Sequence, residues 1–288
     1  MKKNKTMFSD VCFDEITKIK SVLLCFLFAT LYVGSLYVKS QRLPRDHPKT
    51  IKERFMRVAL SSTAACAIVY LFSSNPLPKS QVGSLFEWIG IRKDGFVIAI
   101  LCPTILIAIL FLGPLVMFLI DHGIKSLRCY SITDIMIWRN YIVAPLSEEL
   151  VFRGCMMPIL VPAFGQFTSI LLAPWFFGLA HLHHAAEMYM SGFHTLSSIV
   201  LSTLFQAFYT TVFGILSSFI FLRTGHLTSA VVSHAFCNIM GFPDFENALQ
   251  HKQNILICCC FVAGLVLFIA LLFPLTEPEL FQNRLYTR

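Results

Sequence analysis

The feature that most constrains this chain is a succession of apolar runs, most of them near the ~20 residues that a helix needs to cross a bilayer. They lie at residues 21–38, 58–73, 96–120, 168–180, 196–222, 227–240 and 255–273. Lipid offers no partner for free backbone N–H and C=O groups, which leaves helices or closed barrels, and uninterrupted apolar runs favour helices. The run at 96–120 is long enough to span with tilt. An eighth stretch, 132–160, mixes apolar residues with Asp134, Arg139, Glu148, Glu149 and Arg153, so it must face protein or water rather than lipid. The expectation is an all-α, polytopic integral membrane protein of about eight embedded helices around an intramembrane cavity.

Composition closes the other classes. Charged residues make up 14% of the chain and hydrophobic ones 56%, whereas soluble domains carry about 25% charged residues. With 28 phenylalanines, disorder is excluded as well. Lysine and arginine outnumber aspartate and glutamate by 23 to 16, but they flank apolar runs, as membrane-edge charge does, and do not point to nucleic acid. The ten cysteines lie mostly inside apolar segments, such as Cys25, Cys66, Cys102 and Cys258–Cys260, and suggest neither a disulfide framework nor a zinc ribbon. The first apolar run begins late and lacks a small-residue cleavage site, so it reads as an anchor rather than a removed signal peptide. Lys39, Arg42, Arg45, Lys49, Lys52, Arg54 and Arg57 against Asp46 and Glu53 put the 39–57 loop in the cytosol by the positive-inside rule. Lys2, Lys3, Lys5, Lys18 and Lys20 oppose that bias. A single embedded domain over 1–288 is expected, with polar termini at about 1–20 and 274–288.

Three polar groupings stand out against this apolar background. In RNYIVAPLSEELVFRG the adjacent Glu148 and Glu149 would each be costly at membrane depth unless compensated. On a helix Arg153 lies one turn beyond Glu149 and pairs with it, while Glu148 points roughly 100° away, toward a cavity, in the role of a general base. In PWFFGLAHLHHAAE, Phe177 and His181 are four apart, with His183 and His184 as secondary candidates and Glu187 as a partner for them. In HAFCNIMGFP, His234 and Asn238 project from one face of a short helix. Together they permit hydrolysis, with Glu148 and His181 polarising a water and His234 with Asn238 stabilising an oxyanion. They equally permit a proton relay in an ion-coupled transporter, which should show symmetry between halves or paired broken helices. No cofactor is expected. Zinc or another divalent metal held by a glutamate and two histidines stays open, although there is no HExxH.

These strings resemble a known family. EELVFR, FGLAH and HAFCN match the EExxxR, FxxxH and HxxxN motifs of the CAAX prenyl proteases of the Ras-converting type, and the longer strings resemble its eukaryotic members over about 139–243, within a motif-bearing core of about 131–243. The resemblance implies an endopeptidase of the endoplasmic reticulum membrane, its site open to the cytosol. It would remove the last three residues of farnesylated or geranylgeranylated CAAX proteins such as Ras-type small GTPases, with membrane lipid as its medium. It also implies Glu148 as water-activating base, His181 as its assistant, His234 and Asn238 on the oxyanion side, and Glu149 and Arg153 in support.

Overall fold

The computed structural model describes residues 9–38, 43–77, 80–123, 133–193 and 195–287. Lys2, Lys3, Lys5, Lys39, Arg42 and the first two residues of the 131–243 core lie outside them. The elements, in order, are α1 (Lys18–Tyr37), α2 (Pro48–Phe72), α3 (Leu85–Trp88), α4 (Phe96–Leu110), α5 (Leu112–His122), α6 (Ile135–Trp138), α7 (Ala144–Glu149), α8 (Met157–Phe164), α9 (Gln166–Ala180), α10 (His183–Ser191), α11 (Leu196–Thr224), α12 (Leu227–Met240), α13 (Phe245–Gln250) and α14 (Asn254–Leu272). The all-α expectation holds. Only two isolated bridges, Val11 to Gly83 and Cys12 to Ser74, pair extended backbone among the described residues.

The eight expected runs differ in length. α1, α2, α11 and α14 are long and apolar enough to cross a membrane, and α4 with α5 makes a fifth if the bent pair counts as one span. Their outer faces carry the apolar side chains that lipid would cover, such as Leu23, Leu204 and Val262, each more than three-fifths exposed. α9 and α12 have 15 and 14 residues, so each rises only about 21–23 Å at ~1.5 Å per residue. They lie within a packed bundle, where a helix need not traverse the whole bilayer. Around the motif region α1, α2, α9, α11 and α12 all pack on the α6–α8 stretch.

The 96–120 run does not form the single tilted span expected of it. It bends by 74° between α4 and α5. Pro114 has no N–H to continue the helical ladder, and Gly113 lets α14 press against the turn: a Cβ there would collide with the Phe261 ring. α14 answers with Gly264, where a Cβ would meet the Ile109 carbonyl oxygen at 2.5 Å. Glycine on both sides of the contact allows the close approach, as small residues do between membrane helices.

The 135–164 stretch forms a nearly continuous right-handed helical run with two π-helical turns, Arg139–Val143 and Leu150–Cys155. Asp134 caps its start through a bond from the Met136 N–H, 2.8 Å, and Gly165 ends it at a positive φ. Prolines explain the widened turns. Pro145 and Pro158 follow them and lack the N–H that an α-helix would direct four residues back, so the ladder opens where that donor is missing. Such bulges often occur at functional sites.

The described residues nearest each terminus fold onto the bundle. Trp88 donates its indole N–H to the Val11 carbonyl, 3.1 Å, and receives the Tyr286 hydroxyl on its own carbonyl, 2.6 Å. Asn283 bonds the Leu222 carbonyl at the end of α11, 2.8 Å. These buried polar groups are satisfied by partners distant in sequence, which fixes the 80–90 segment and the tail to α11.

Candidate active site

Glu149 is fully buried and holds three donors. Its Oε1 accepts from Arg153 Nη1 at 3.0 Å and from His234 Nδ1 at 2.7 Å, and its Oε2 accepts from the Ser217 hydroxyl at 2.7 Å. A carboxylate taken out of water needs such compensation, because burial of an unpaired charge costs several kcal/mol or more. The Glu149–Arg153 pair is thus the one expected from helical spacing. Arg153 also donates to the Gly214 carbonyl, 3.3 Å, and its guanidinium lies 4.6 Å from the centre of the Phe177 ring. A methyl group at Gly214 would reach within 3.3 Å of Arg153 Nη2 and 2.8 Å of Pro174, so glycine leaves the space that the guanidinium fills.

Glu148, on the neighbouring face, lines a cleft of about 700 Å³, open mouth included. Its carboxylate lies 3.8 Å from His234 Nε2. His234 therefore bridges the two glutamates. Because Glu149 Oε1 receives an ion pair from Arg153 and acts as acceptor, the imidazole must carry a proton on Nδ1, and its Nε2 faces Glu148. A carboxylate behind an imidazole fixes its tautomer and aims its outer nitrogen, the device of many hydrolytic centres.

His181 also lines the cleft, at the C-terminal cap of α9. Its Nδ1 bonds the Phe177 carbonyl, 2.7 Å, which accepts only, so this ring too is protonated at Nδ1 with a free Nε2. The four-residue spacing of Phe177 and His181 thus does two things: the carbonyl orients the imidazole, and the Phe177 ring packs edge-on against it at 4.5 Å while supporting Arg153. The rest of the wall is largely apolar, from Tyr32, Leu36, Val58, Phe152 and Ala180 among others. Tyr32 is anchored by its hydroxyl to Ser147, 2.9 Å.

Asn238 is placed differently from the other motif residues. Its Nδ2 donates to the Asn140 backbone carbonyl at 2.9 Å, the residue is exposed, and it is not among those lining the cleft. It ties α12 to the first π-helical turn. His183 and His184 line the cleft mouth with Arg45, Arg54 and Arg139. Among the described residues, the grouping whose ligand atoms lie close enough for a metal ion is His183, His184 and Glu187, all within 4.8 Å, rather than Glu148 with His181 and His234. Arg45 and Arg54 both contact Glu187, so a cation there would meet two guanidinium groups.

The site residues that the sequence did not single out are Ser217, Gly214, Arg45 and Arg54, whereas Glu187 is found beside His184 as its spacing suggested. Ser217 and Gly214 sit three apart in an apolar helix, and such small residues are the available signal for a polar group approaching from a neighbouring helix.

Fold and site together define a polytopic membrane protein whose embedded centre combines two glutamates and two histidines beside an apolar cleft. The chain belongs to the CAAX prenyl endopeptidase family. The family described as "Type II CAAX prenyl endopeptidase Rce1-like" matches residues 131–240. The human protein named CAAX prenyl protease 2 is 42% identical over 277 residues, which covers 91% of this chain and 83% of that protein. The Arabidopsis thaliana protein of the same name is 33% identical, covering 94% of each chain, and that of Saccharomyces cerevisiae is 32% identical, covering 77% of this chain and 80% of its own. No solved structure matches the chain. The transporter reading gains nothing from these relatives, and the bent α4–α5 pair is the one broken helix pair found among the described residues.

Proposed function

We propose that this protein is an endopeptidase that releases the C-terminal tripeptide from farnesylated or geranylgeranylated CAAX proteins, Ras-type small GTPases among them. It would act in the endoplasmic reticulum membrane with its cleft facing the cytosol. The observation that carries the chemistry is the Glu149–His234–Glu148 chain at the edge of an apolar cleft. The basic residues Arg45, Arg54 and Arg139 at the mouth support the cytosolic orientation. A prenyl chain gains about 0.8 kcal/mol per buried methylene, so lipid and the apolar wall hold it beside the scissile bond.

In the proposed reaction Glu148 takes a proton from water as its oxygen attacks the scissile carbonyl, and His181 orients that water through Nε2. His234, braced by Glu149 at Nδ1, acts in this step as an imidazolium whose Nε2–H donates to the carbonyl oxygen and stabilises the negative charge that develops there. The tetrahedral intermediate then collapses, the C–N bond breaks, and the proton on Glu148 passes to the leaving amine. The products are a prenylcysteine carboxylate and a free tripeptide. No serine or cysteine nucleophile takes part.

Purified protein in detergent, given a farnesylated CAAX peptide, is expected to yield those two products whether or not a chelator is present. Intact peptide, or residues removed one at a time, would refute the proposal. Among the histidines, His181→Ala and His234→Ala are each expected to remove most turnover, and His183→Ala and His184→Ala to remove less. A greater loss at His183 than at His181 would reverse their assignment.

Asn238 is proposed to act by positioning α12, since its amide is engaged with Asn140. Deleting an oxyanion donor costs about 100-fold to 1,000-fold in kcat. Asn238→Ala is expected to lose less than that and to melt earlier in detergent, because a solvent-exposed hydrogen bond contributes only about 0.5–1.5 kcal/mol. A kcat loss in the donor range at unchanged Tm would return Asn238 to the oxyanion.

A further inference from the structure

The cleft mouth has a charge imbalance. Arg139 is neutralised by Asp46, 2.7 Å away, but Arg45 and Arg54 share a single carboxylate, Glu187, at 3.4 and 3.3 Å. Two cations face one anion, and both line the same cleft as Glu148. Arg54 is mostly buried, its side chain only 15% exposed, and its Nε has no hydrogen-bond partner among the described residues. It lies on α2 one turn before Val58, another cleft residue, so helical periodicity aims it at the cavity. A desolvated guanidinium with spare donors matches a carboxylate in charge and in forked geometry.

We propose that Arg45 and Arg54 bind the free C-terminal carboxylate of the peptide substrate, and that Glu187 occupies this pair in the free enzyme. The inference rests on the endopeptidase reading above. The scissile bond lies between two recognisable features of the substrate, the prenylcysteine on one side and the chain end three residues away on the other, and the terminal carboxylate is the charged group every such substrate carries. It lies about 10 Å from the scissile bond at ~3.3–3.6 Å per extended residue.

The exchange is carboxylate for carboxylate. Burial would raise the Glu187 carboxyl, but bonds from His184 and Tyr37, with the charge of Arg45, hold it well below the usual range. Glu187 is thus ionised and competes with the substrate. His183 adds no charge at neutral pH, since burial pushes it down to about 4. α10, which carries Glu187, is a nine-residue helix between Leu182 and Gly192, none of whose residues is buried. It is a lightly embedded wall of the cleft, suited to give way.

The test compares one farnesylated CAAX peptide as its free acid and as its C-terminal amide, on full-length protein in detergent. Wild type is expected to favour the acid by about 10-fold to 100-fold in kcat/KM, mostly through KM, the range of a charge-assisted contact. Arg54→Gln should raise KM for the acid to the level of the amide while turnover of the amide stays as in wild type, which also reports that the variant folds. Arg54→Lys should restore part of the preference. Glu187→Gln, which removes the competing charge, should lower KM for the acid. Equal handling of the two peptides by wild type, or full discrimination by Arg54→Gln, would overturn the proposal. Failure of wild type to cleave either peptide would instead strike the endopeptidase reading itself.

Discussion

Glu148→Gln is expected to remove nearly all tripeptide release, with a loss of kcat on the order of 100-fold to 10,000-fold, while the protein keeps its thermal stability and its affinity for a prenylated peptide. The amide preserves shape, and Glu148 is the partly exposed member of the pair, 20% exposed against 0% for Glu149. It therefore lacks the ring of donors whose loss would unfold the helix. What the amide cannot do is take a proton from water, and general-base catalysis with the attack it enables is the step removed. Single-turnover rates on a farnesylated peptide, with binding measured separately, check this. Near-normal turnover by the variant would dismiss Glu148 as base.

Changes at Glu149 and Arg153 are expected to act on folding first. Glu149→Ala strands the Arg153 guanidinium and leaves the Ser217 hydroxyl and His234 Nδ1 without an acceptor. Arg153→Ala leaves a fully buried carboxylate with one ionic partner fewer. Removing one side of a buried pair costs about 3–5 kcal/mol, because the survivor cannot return to water. Both variants should therefore melt well below wild type in detergent. Glu149→Gln, which keeps the size but turns one acceptor into a donor aimed at other donors, should recover little. Wild-type Tm for both alanine variants would mean that the pair is not what holds the helix.

The parts of this arrangement that were legible in the sequence are those set by helical periodicity. The spacing of Glu149 and Arg153, the divergence of Glu148 from Glu149, and the linkage of Phe177 to His181 each follow from residues one turn apart or adjacent on one helix, and each recurs as a contact or a division of faces. Partners that come from other elements were not legible. Ser217 reaches Glu149 across 68 positions, and Arg54 reaches Glu187 across 133. Nothing local in either stretch encodes the meeting. The bend at Phe111 had its signal in Gly113 and Pro114, but membrane helices tolerate both residues, so an apolar run alone read as one span. Asn238 shares a face with His234 on an ideal helix. Contact with the neighbouring π-helical turn, which proline placement favours but pattern does not specify, directs its amide to Asn140.

In this mechanism Glu148 activates a water which attacks the peptide directly. The competing role for a buried carboxylate is that of nucleophile, forming an acyl-enzyme anhydride. Enzyme in excess over a farnesylated CAAX peptide, allowed one turnover in water labelled with heavy oxygen, distinguishes the two. Direct attack predicts one heavy oxygen in every prenylcysteine carboxylate and no mass added to the protein at any quench time. An unlabelled product carboxylate, its oxygen drawn from the enzyme, or a protein adduct that grows and decays with turnover, would contradict it.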